Sequence, residues 1–242
     1  MIRNAAQTPA IEATGKHAPG QLHVLVRSLE EIKSAEAAGE VLAEVQPDYV
    51  VWSAGAGGKG GPERTYAIDR DAARHFIAGA VAEPRVRKFL LVSAISSRRR
   101  RAPWWEDDEW ALVERFNKAL PHYYEAKVDA DEYLTKLAAQ RRKGAGQSEK
   151  GVFQDIILRP GGLSDSPATG LVSLGQSRTM GTVSRADVAD VAARLLDQED
   201  FHGWVDLVSG NELVESAVKR VVRDKVDAIE GEDTVQIYSS VT

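Results

Sequence analysis

Residues 48–61, DYVVWSAGAGGKGG, constrain the fold of this chain more than any other stretch. A short apolar run stops abruptly, and five of the last seven positions are glycine. The run Tyr49 to Trp52 has the length and composition of a buried parallel strand, and the small residues after it let a ligand approach the backbone closely. The same grammar, apolar strand then polar-faced helix, returns downstream and places a binding crevice at the strand ends. At 242 residues the chain supports one sizeable core, burying roughly 70% of its extended surface.

The formal net charge of -5 does not mark the chain as a polyanion binder. The absence of Cys excludes disulfides, thiolate nucleophiles and Cys-based zinc sites, and it suits the cytosol. His17, His23, His75, His122 and His202 show no HExxH spacing, so no metal site is expected. Apolar runs fall far short of the roughly 18 residues a membrane span needs, and the opening MIRNAAQTPA lacks the apolar core of a signal peptide. The expectation is a cytoplasmic monomer or homodimer acting on a small molecule, with neither nucleic acid nor membrane as partner.

Residues 1–20 show neither alternation nor a helical stripe and read as an extended or poorly ordered arm. Residues 21–228 read as the folded domain and 229–242 as a loosely held tail. Residues 22–26 form the first expected strand, closed by Arg27, and Ser28 is placed to cap a helix that Gly39 stops. The next helix starts at Thr65 or Asp69 and carries Ile68, Ala72, Phe76 and Ala80 on one face. Phe89 to Val92 follows as a bare apolar strand, which argues for a parallel sheet covered on both faces.

Arg98 to Arg101 could grip phosphates beside Trp104 and Trp105. The stronger reading is a solvated loop answered by Glu106, Asp107, Asp108 and Glu109. A helix from Pro121 carries Tyr123, Lys127, Ala130, Leu134 and Leu137, and residues 140–151 read as a surface loop. Further strands are expected at 153–158 and 204–208, with helices from Arg185 and across 212–226.

Tyr123 and Lys127, four apart on a helix, point the same way. A phenol titrates near 10, so it is a poor acid or base at neutral pH. A nearby ammonium stabilises the phenolate and moves it toward the working range. An aromatic above a lysine is also an ordinary packed helix surface.

The runs FLLVSAIS, YYEAK, ILRPGGLSD and VSRADVADV, in that order, resemble the short-chain dehydrogenase/reductase superfamily. The resemblance is closest to its atypical single-domain NAD(P)H-binding branch, with epimerase-like and NmrA-like members, and it covers residues 22–213. It implies a Rossmann-like α/β fold, a mostly parallel sheet with helices on both faces. It also implies roles: Tyr123 as proton donor, and Lys127 lowering its pKa and holding the nicotinamide ribose. Ser53, Ala54 and Gly55 would line the cofactor, Pro160, Gly161 and Gly162 would flank the nicotinamide, and Ser93 or Ser96 would polarise the substrate oxygen. Arg27 with Ser28 at the adenosine ribose favours NADP over NAD.

The family opens with a GATGxxG turn. The match in this chain is Glu12 to Ala18, which keeps Ala13, Thr14 and Gly15 but not the outer glycines. Too few residues separate that turn from the next strand for a parallel crossover, so the first strand-helix unit reads as missing. Three functions follow: an NADP-dependent oxidoreductase of a small carbonyl or alcohol, a non-catalytic NAD(P)-sensing regulator, or a truncated member that no longer binds cofactor.

Overall fold

The structure, a computed structural model, describes residues 1–16, 19–144, 152–178 and 180–239. Four strands run parallel at its centre: β1 (Tyr49–Trp52), β2 (Lys88–Val92), β3 (Gln154–Pro160) and, later in the chain, β7 (Gly203–Ser209). Between β3 and β7 lie β4 (Gly162–Ser164), β5 (Leu171–Gly175) and β6 (Thr182–Ser184), and β8 (Glu212–Leu213) closes the series. The main sheet has the order β1-β2-β3-β7-β5-β8, with β5 antiparallel to β7 and β8, while β4 and β6 pair separately.

The helices in chain order are α1 (Thr8–Thr14), α2 (Ala35–Val45), α3 (Gly61–Thr65), α4 (Ala73–Ala82), α5 (Asp107–Ala119), α6 (Pro121–Gly144), α7 (Arg185–Leu196), α8 (Val214–Arg223) and α9 (Thr234–Ser239). They cover both faces of the sheet. Phe89 and Leu91 of β2 point into one core with α2, α4 and α6, whereas Leu90 points into the other with α7 and α8. That two-sided burial is why the strand is apolar without alternation. The fold is therefore α/β and Rossmann-like, with a mixed, mostly parallel sheet.

Several local expectations are corrected. Residues 8–14, expected within an unstructured arm, form α1, with Pro9 in its first turn where its missing N–H costs nothing. Residues 22–26 form no strand; only a parallel bridge joins Val26 to Ile2. Ser28 caps a 3-10 turn, Leu29–Glu31, and Ser34 caps α2 instead. Gly39 lies inside α2 rather than ending it, in a helix held by the buried Ala38, Val41 and Leu42; α4 crosses it at Gly79, where a Cβ would stand 3.3 Å from the Gly39 nitrogen. The stop is Gln46, in the left-handed conformation at φ 51°. Residues 140–144 continue α6, and the rest of the loop expected up to Gly151 lies outside the described residues. In the supposed tail, α9 packs on α6 with Ile237 buried.

The arginine run is not a solvated loop. Arg98 is buried: it donates to the carbonyls of Ala228 and of Glu230 (2.6 Å), pairs with Glu232 at 3.4 Å and lies beside the rings of Trp104 and Trp105. Arg99 pairs with Glu132 and Arg100 with Asp233, so among the acids immediately following only Asp107 answers the run, through Arg101.

Lys88 is a second buried cation that pattern reading passes over. Its ammonium donates to the carbonyls of Leu196 (2.7 Å) and Gln198 (2.6 Å), closing the C-terminus of α7 against the start of β2. Helix C-termini leave carbonyls without partners, and a cation there is favoured by the dipole as well. Replacing Lys88 with Met should destabilise the fold by about 2 kcal/mol, the scale of lost charge-assisted bonds. Urea unfolding of the two proteins checks it.

Candidate functional site

The C-terminal ends of β1, β2 and β3 open onto one cavity of about 780 Å³. Its walls come from the glycine loop after β1 (Ala56, Gly57, Gly58), the turn after β2 (Ser93, Ala94, Ile95, Ser96), the turn after β3 (Pro160, Gly161, Gly162) and the first turn of α6 (His122, Tyr123). The loop takes left-handed φ values, 65° at Gly57, 70° at Gly58 and 88° at Gly60, which side chains would resist. At Gly161 the requirement is space, since a Cβ would sit 2.0 Å from the Gly181 carbonyl oxygen.

Behind this loop, α3 passes into a π-helical stretch, Tyr66–Ala72, before α4 resumes. Such stretches re-aim side chains and often mark functional sites. Here the stretch carries Asp69, which is buried at the cavity wall and accepts from the Ala56 amide at 2.8 Å. Burial raises its carboxyl above the ordinary value, against that amide, Lys127 and Arg64. The sequence signal was one acid within the apolar stripe Ile68, Ala72 and Phe76.

Tyr123 and Lys127 share a helix face but do different things. The part-buried Tyr123 ring lies on the cavity wall, and its hydroxyl has no hydrogen bond among the described residues. Lys127 is buried, and its ammonium donates to the Val92 carbonyl at 2.9 Å. Burial lowers the Lys127 pKa while Asp131 and Asp69 hold it up. The phenol is pushed above its usual value by burial and then by the same two aspartates, the reverse of the expected activation by lysine.

Both candidate serines line the cavity. Ser93 donates to Asp131 at 2.7 Å and lies 3.0 Å from the Ser97 hydroxyl, whereas Ser96 is buried with its carbonyl accepting from Asn117 at 3.0 Å. Asp131, one turn beyond Lys127, was not foreseen. Burial pushes its carboxyl up to about 6, against the pull of Arg159, Lys127, Ser93 and Ser97.

A smaller cavity of about 140 Å³ lies on the other side of Gly55. It is lined by Arg3, Arg27, Ser28, Glu30 and Arg64, among others. Met1 to Arg3 runs extended beside Leu25 to Arg27, with Ile2 donating to Leu25 at 2.8 Å and Arg27 donating to Ile2 at 2.9 Å, and α1 connects the two. This arrangement brings in Arg3 and Arg64, which sequence reading had not singled out. Gly15 reaches neither cavity. It ends α1, with a would-be Cβ 2.8 Å from that of Leu22. The Ala13-Thr14-Gly15 run thus presents a helix C-terminus, the end that repels a phosphate. Ser53 and Ala54 lie between β1 and the glycine loop and line neither cavity, while Gly55 lines the smaller one.

Among the described residues no group of His, Asp or Glu is arranged to hold a metal ion, and no helix is long and apolar enough to cross a membrane.

Residues 1–199 match a family model described as NAD(P)H-binding. The chain is 31% identical over 223 residues to the uncharacterized sugar epimerase YhfK of Bacillus subtilis, covering 91% of this chain and 86% of that protein. It is 32% identical over 183 residues to a UPF0659 protein of Schizosaccharomyces pombe, covering 74% and 69%. Among solved structures, a candidate NAD-dependent epimerase/dehydratase from Bacillus halodurans superposes with a TM-score of 0.66 at 26% identity, over 91% of this chain and 86% of that one. With the crevice at the strand ends and a match over most of its length, this chain belongs to the NAD(P)H-binding family of Rossmann-like proteins.

Proposed function

We propose that the chain is an NADP-dependent oxidoreductase acting on a small carbonyl or alcohol, with the nucleotide spanning the two cavities around Gly55 and Ala56. The observation that carries this reading is Tyr123, which lines the larger cavity and whose hydroxyl has no hydrogen bond among the described residues. The residues fit such a ligand: glycines leave the space after β1 and β3, and Arg3, Arg27 and Arg64 supply charge at the far end.

The nucleotide would supply the hydride. Tyr123 gives a proton to the substrate oxygen on reduction and takes it back on oxidation. Its raised pKa keeps it protonated at neutral pH but makes it a weaker acid, so donation relies on its position beside the substrate oxygen. Ser93 and Ser96 orient that oxygen, and Asp131 holds the Ser93 hydroxyl in place. Lys127 fixes the end of β2 through the Val92 carbonyl beside the cavity. Pro160, Gly161 and Gly162 form the opposite wall. The epimerase names among the relatives add isomerisation through a transient oxidation as a variant of the same chemistry.

A second reading, nucleotide sensing without turnover, is favoured by one observation: Lys127 is engaged with Val92 and leaves the phenol unactivated. The segments before and after α1, residues 1–3 and 25–27, meet only through one parallel bridge outside the main sheet, and β1 is the edge of that sheet with Tyr49 and Val51 exposed. A member unable to bind cofactor is the third possibility.

Calorimetric titration with NADPH and then NADH separates them. Micromolar binding of NADPH, with NADH weaker, supports a working site. Binding without consumption in the presence of small aldehydes and ketones supports the sensor. No heat from either nucleotide with folded protein removes both.

A further inference from the structure

Among the described residues the wall of the larger cavity carries one arginine or lysine, Arg185, and hydride and proton transfer give it no task. Arg185 opens α7 directly after β6, and β6 pairs with β4 just beyond the end of β3. Leu163 of β4, Met180 before β6 and Phe116 of α5 add apolar wall to the same cavity. The β1 side presents the carboxyl of Asp69 instead.

The Arg185 guanidinium already holds a carboxylate. Its Nη1 donates to Asp165 Oδ1 at 2.8 Å, and its remaining N–H groups make no hydrogen bond among the described residues. The pair is exposed, 55% at Arg185 and 90% at Asp165, so water screens it and it contributes little to the fold. A carboxylate from solution can therefore take the place of Asp165 at small cost. His122, also on the wall, differs. Tyr66 gives its hydroxyl proton to Glu125, so the His122 Nδ1, 3.0 Å away, must donate to the Tyr66 oxygen, which a neutral ring does as well as a charged one. Arg185 is the group there whose positive charge is permanent.

Resting on the oxidoreductase reading above, we infer that the substrate is a carbonyl compound bearing a carboxylate, an oxo acid with an apolar body, and that Arg185 is the residue that selects it. The body lies along Leu163, Met180 and Phe116, the carboxylate displaces Asp165 from Arg185, and the uncharged carbonyl is left for Tyr123. Asp69 reinforces this orientation, because an ionised carboxyl on the β1 side disfavours an anion there. A guanidinium matches a carboxylate with two parallel N–H bonds, a geometry an ammonium lacks. The carboxylate takes no part in the reduction. The product is the corresponding hydroxy acid, with hydride from the nucleotide and the proton from Tyr123.

The probes are 4-formylbenzoate and its neutral methyl ester, alike in carbonyl and ring. Each is titrated calorimetrically into the full chain, Arg185→Met and Asp165→Asn, and each is assayed for reduction with NADPH. The unaltered chain should favour the acid. Arg185→Met should weaken the acid relative to the ester roughly thirtyfold, the scale of a charge-assisted hydrogen bond. In the assay that loss should fall on KM rather than kcat, because the lost contact is remote from the reacting carbon. Asp165→Asn should move the ratio the other way, roughly threefold, since the competing carboxylate of an exposed pair is gone. A damaged fold does not produce that gain. The same ratio in all three proteins, or no binding of the acid to any of them, overturns the inference. A ratio that follows charge without reduction of either probe keeps Arg185 as a carboxylate site and removes the oxidoreductase reading.

Discussion

Replacing Tyr123 with Phe should lower the rate of carbonyl reduction about a thousandfold, within the range that a positioned general acid contributes. Nucleotide affinity should stay as it was. Both halves of the expectation come from the same geometry: the Tyr123 hydroxyl has no partner among the described residues, so its removal breaks no hydrogen bond of the fold, and the ring that packs at the cavity wall is kept. With burial, Asp69 and Asp131 all raising the phenol, Tyr123 is protonated at neutral pH, and the phenolate that oxidation requires is the scarcer form. The rate of oxidation in the reverse assay should accordingly rise with pH across the alkaline range, while reduction stays level until the raised phenol pKa is approached. NADPH consumption against small aldehydes and ketones, with nucleotide titration of the same samples, checks this. A variant that keeps the full rate means the proton comes from elsewhere; one that loses rate and affinity together means that Tyr123 acts on the nucleotide rather than on the substrate.

What was legible in the sequence follows from which interactions are local. The strand at Phe89 to Val92 could be read because both faces of the sheet are covered, and a bare apolar run is the direct record of that. The stripe Ile68, Ala72, Phe76 and Ala80 could be read because each residue is buried on one side of a helical segment. Gly39 misled because its low helix propensity is outweighed by the packing of its helix neighbours Ala38, Val41 and Leu42 in the core, which a local reading does not show. Arg98 misled for a stronger version of the same reason. Its partners lie at Ala228, Glu230 and Glu232, and nothing near it in sequence distinguishes it from the more exposed Arg99, Arg100 and Arg101.

The candidate site divides along the same line. Ser93, Ser96, Tyr123, Pro160, Gly161 and Gly162 were singled out at strand ends and on one helix face, and strand order alone gathers such positions at one cavity. Gly15 was singled out by a three-residue motif without its flanking strand and helix, and the motif turned out to end a helix. Asp69, Asp131 and Arg64 carry no motif. Their roles come from burial and from partners distant in the chain, and a π-helical stretch such as the one bearing Asp69 shifts the helical phase that pattern reading depends on.

The network behind the cavity turns on Arg159, and Arg159→Met should cost about 3–5 kcal/mol, the range for a buried charge stripped of its partner. Arg159 is fully buried at the end of β3. It donates to Asp206 at 3.2 Å and to the Ile95 carbonyl at 3.1 Å, approaches Asp131 to 3.6 Å, and stacks over the Trp204 ring at 4.4 Å from its centroid. Methionine fills much of the volume but leaves both aspartates without this cation. Burial already pushes Asp131 and Asp206 up to about 6, above the ordinary unfolded value, with Arg159 the largest opposing influence on each. A carboxyl raised in the folded state binds protons more tightly there, so stability is lost as pH rises through the interval between the unfolded and folded values. Removing Arg159 raises the folded values further and extends that interval upward. The cost of the substitution should therefore be larger at pH 8, where both groups must be charged, than at pH 5, where each can be neutral. Urea unfolding of the two proteins at both pH values measures the difference. An equal loss at the two would mean that packing against Trp204, rather than charge, is what Arg159 contributes, because packing does not titrate.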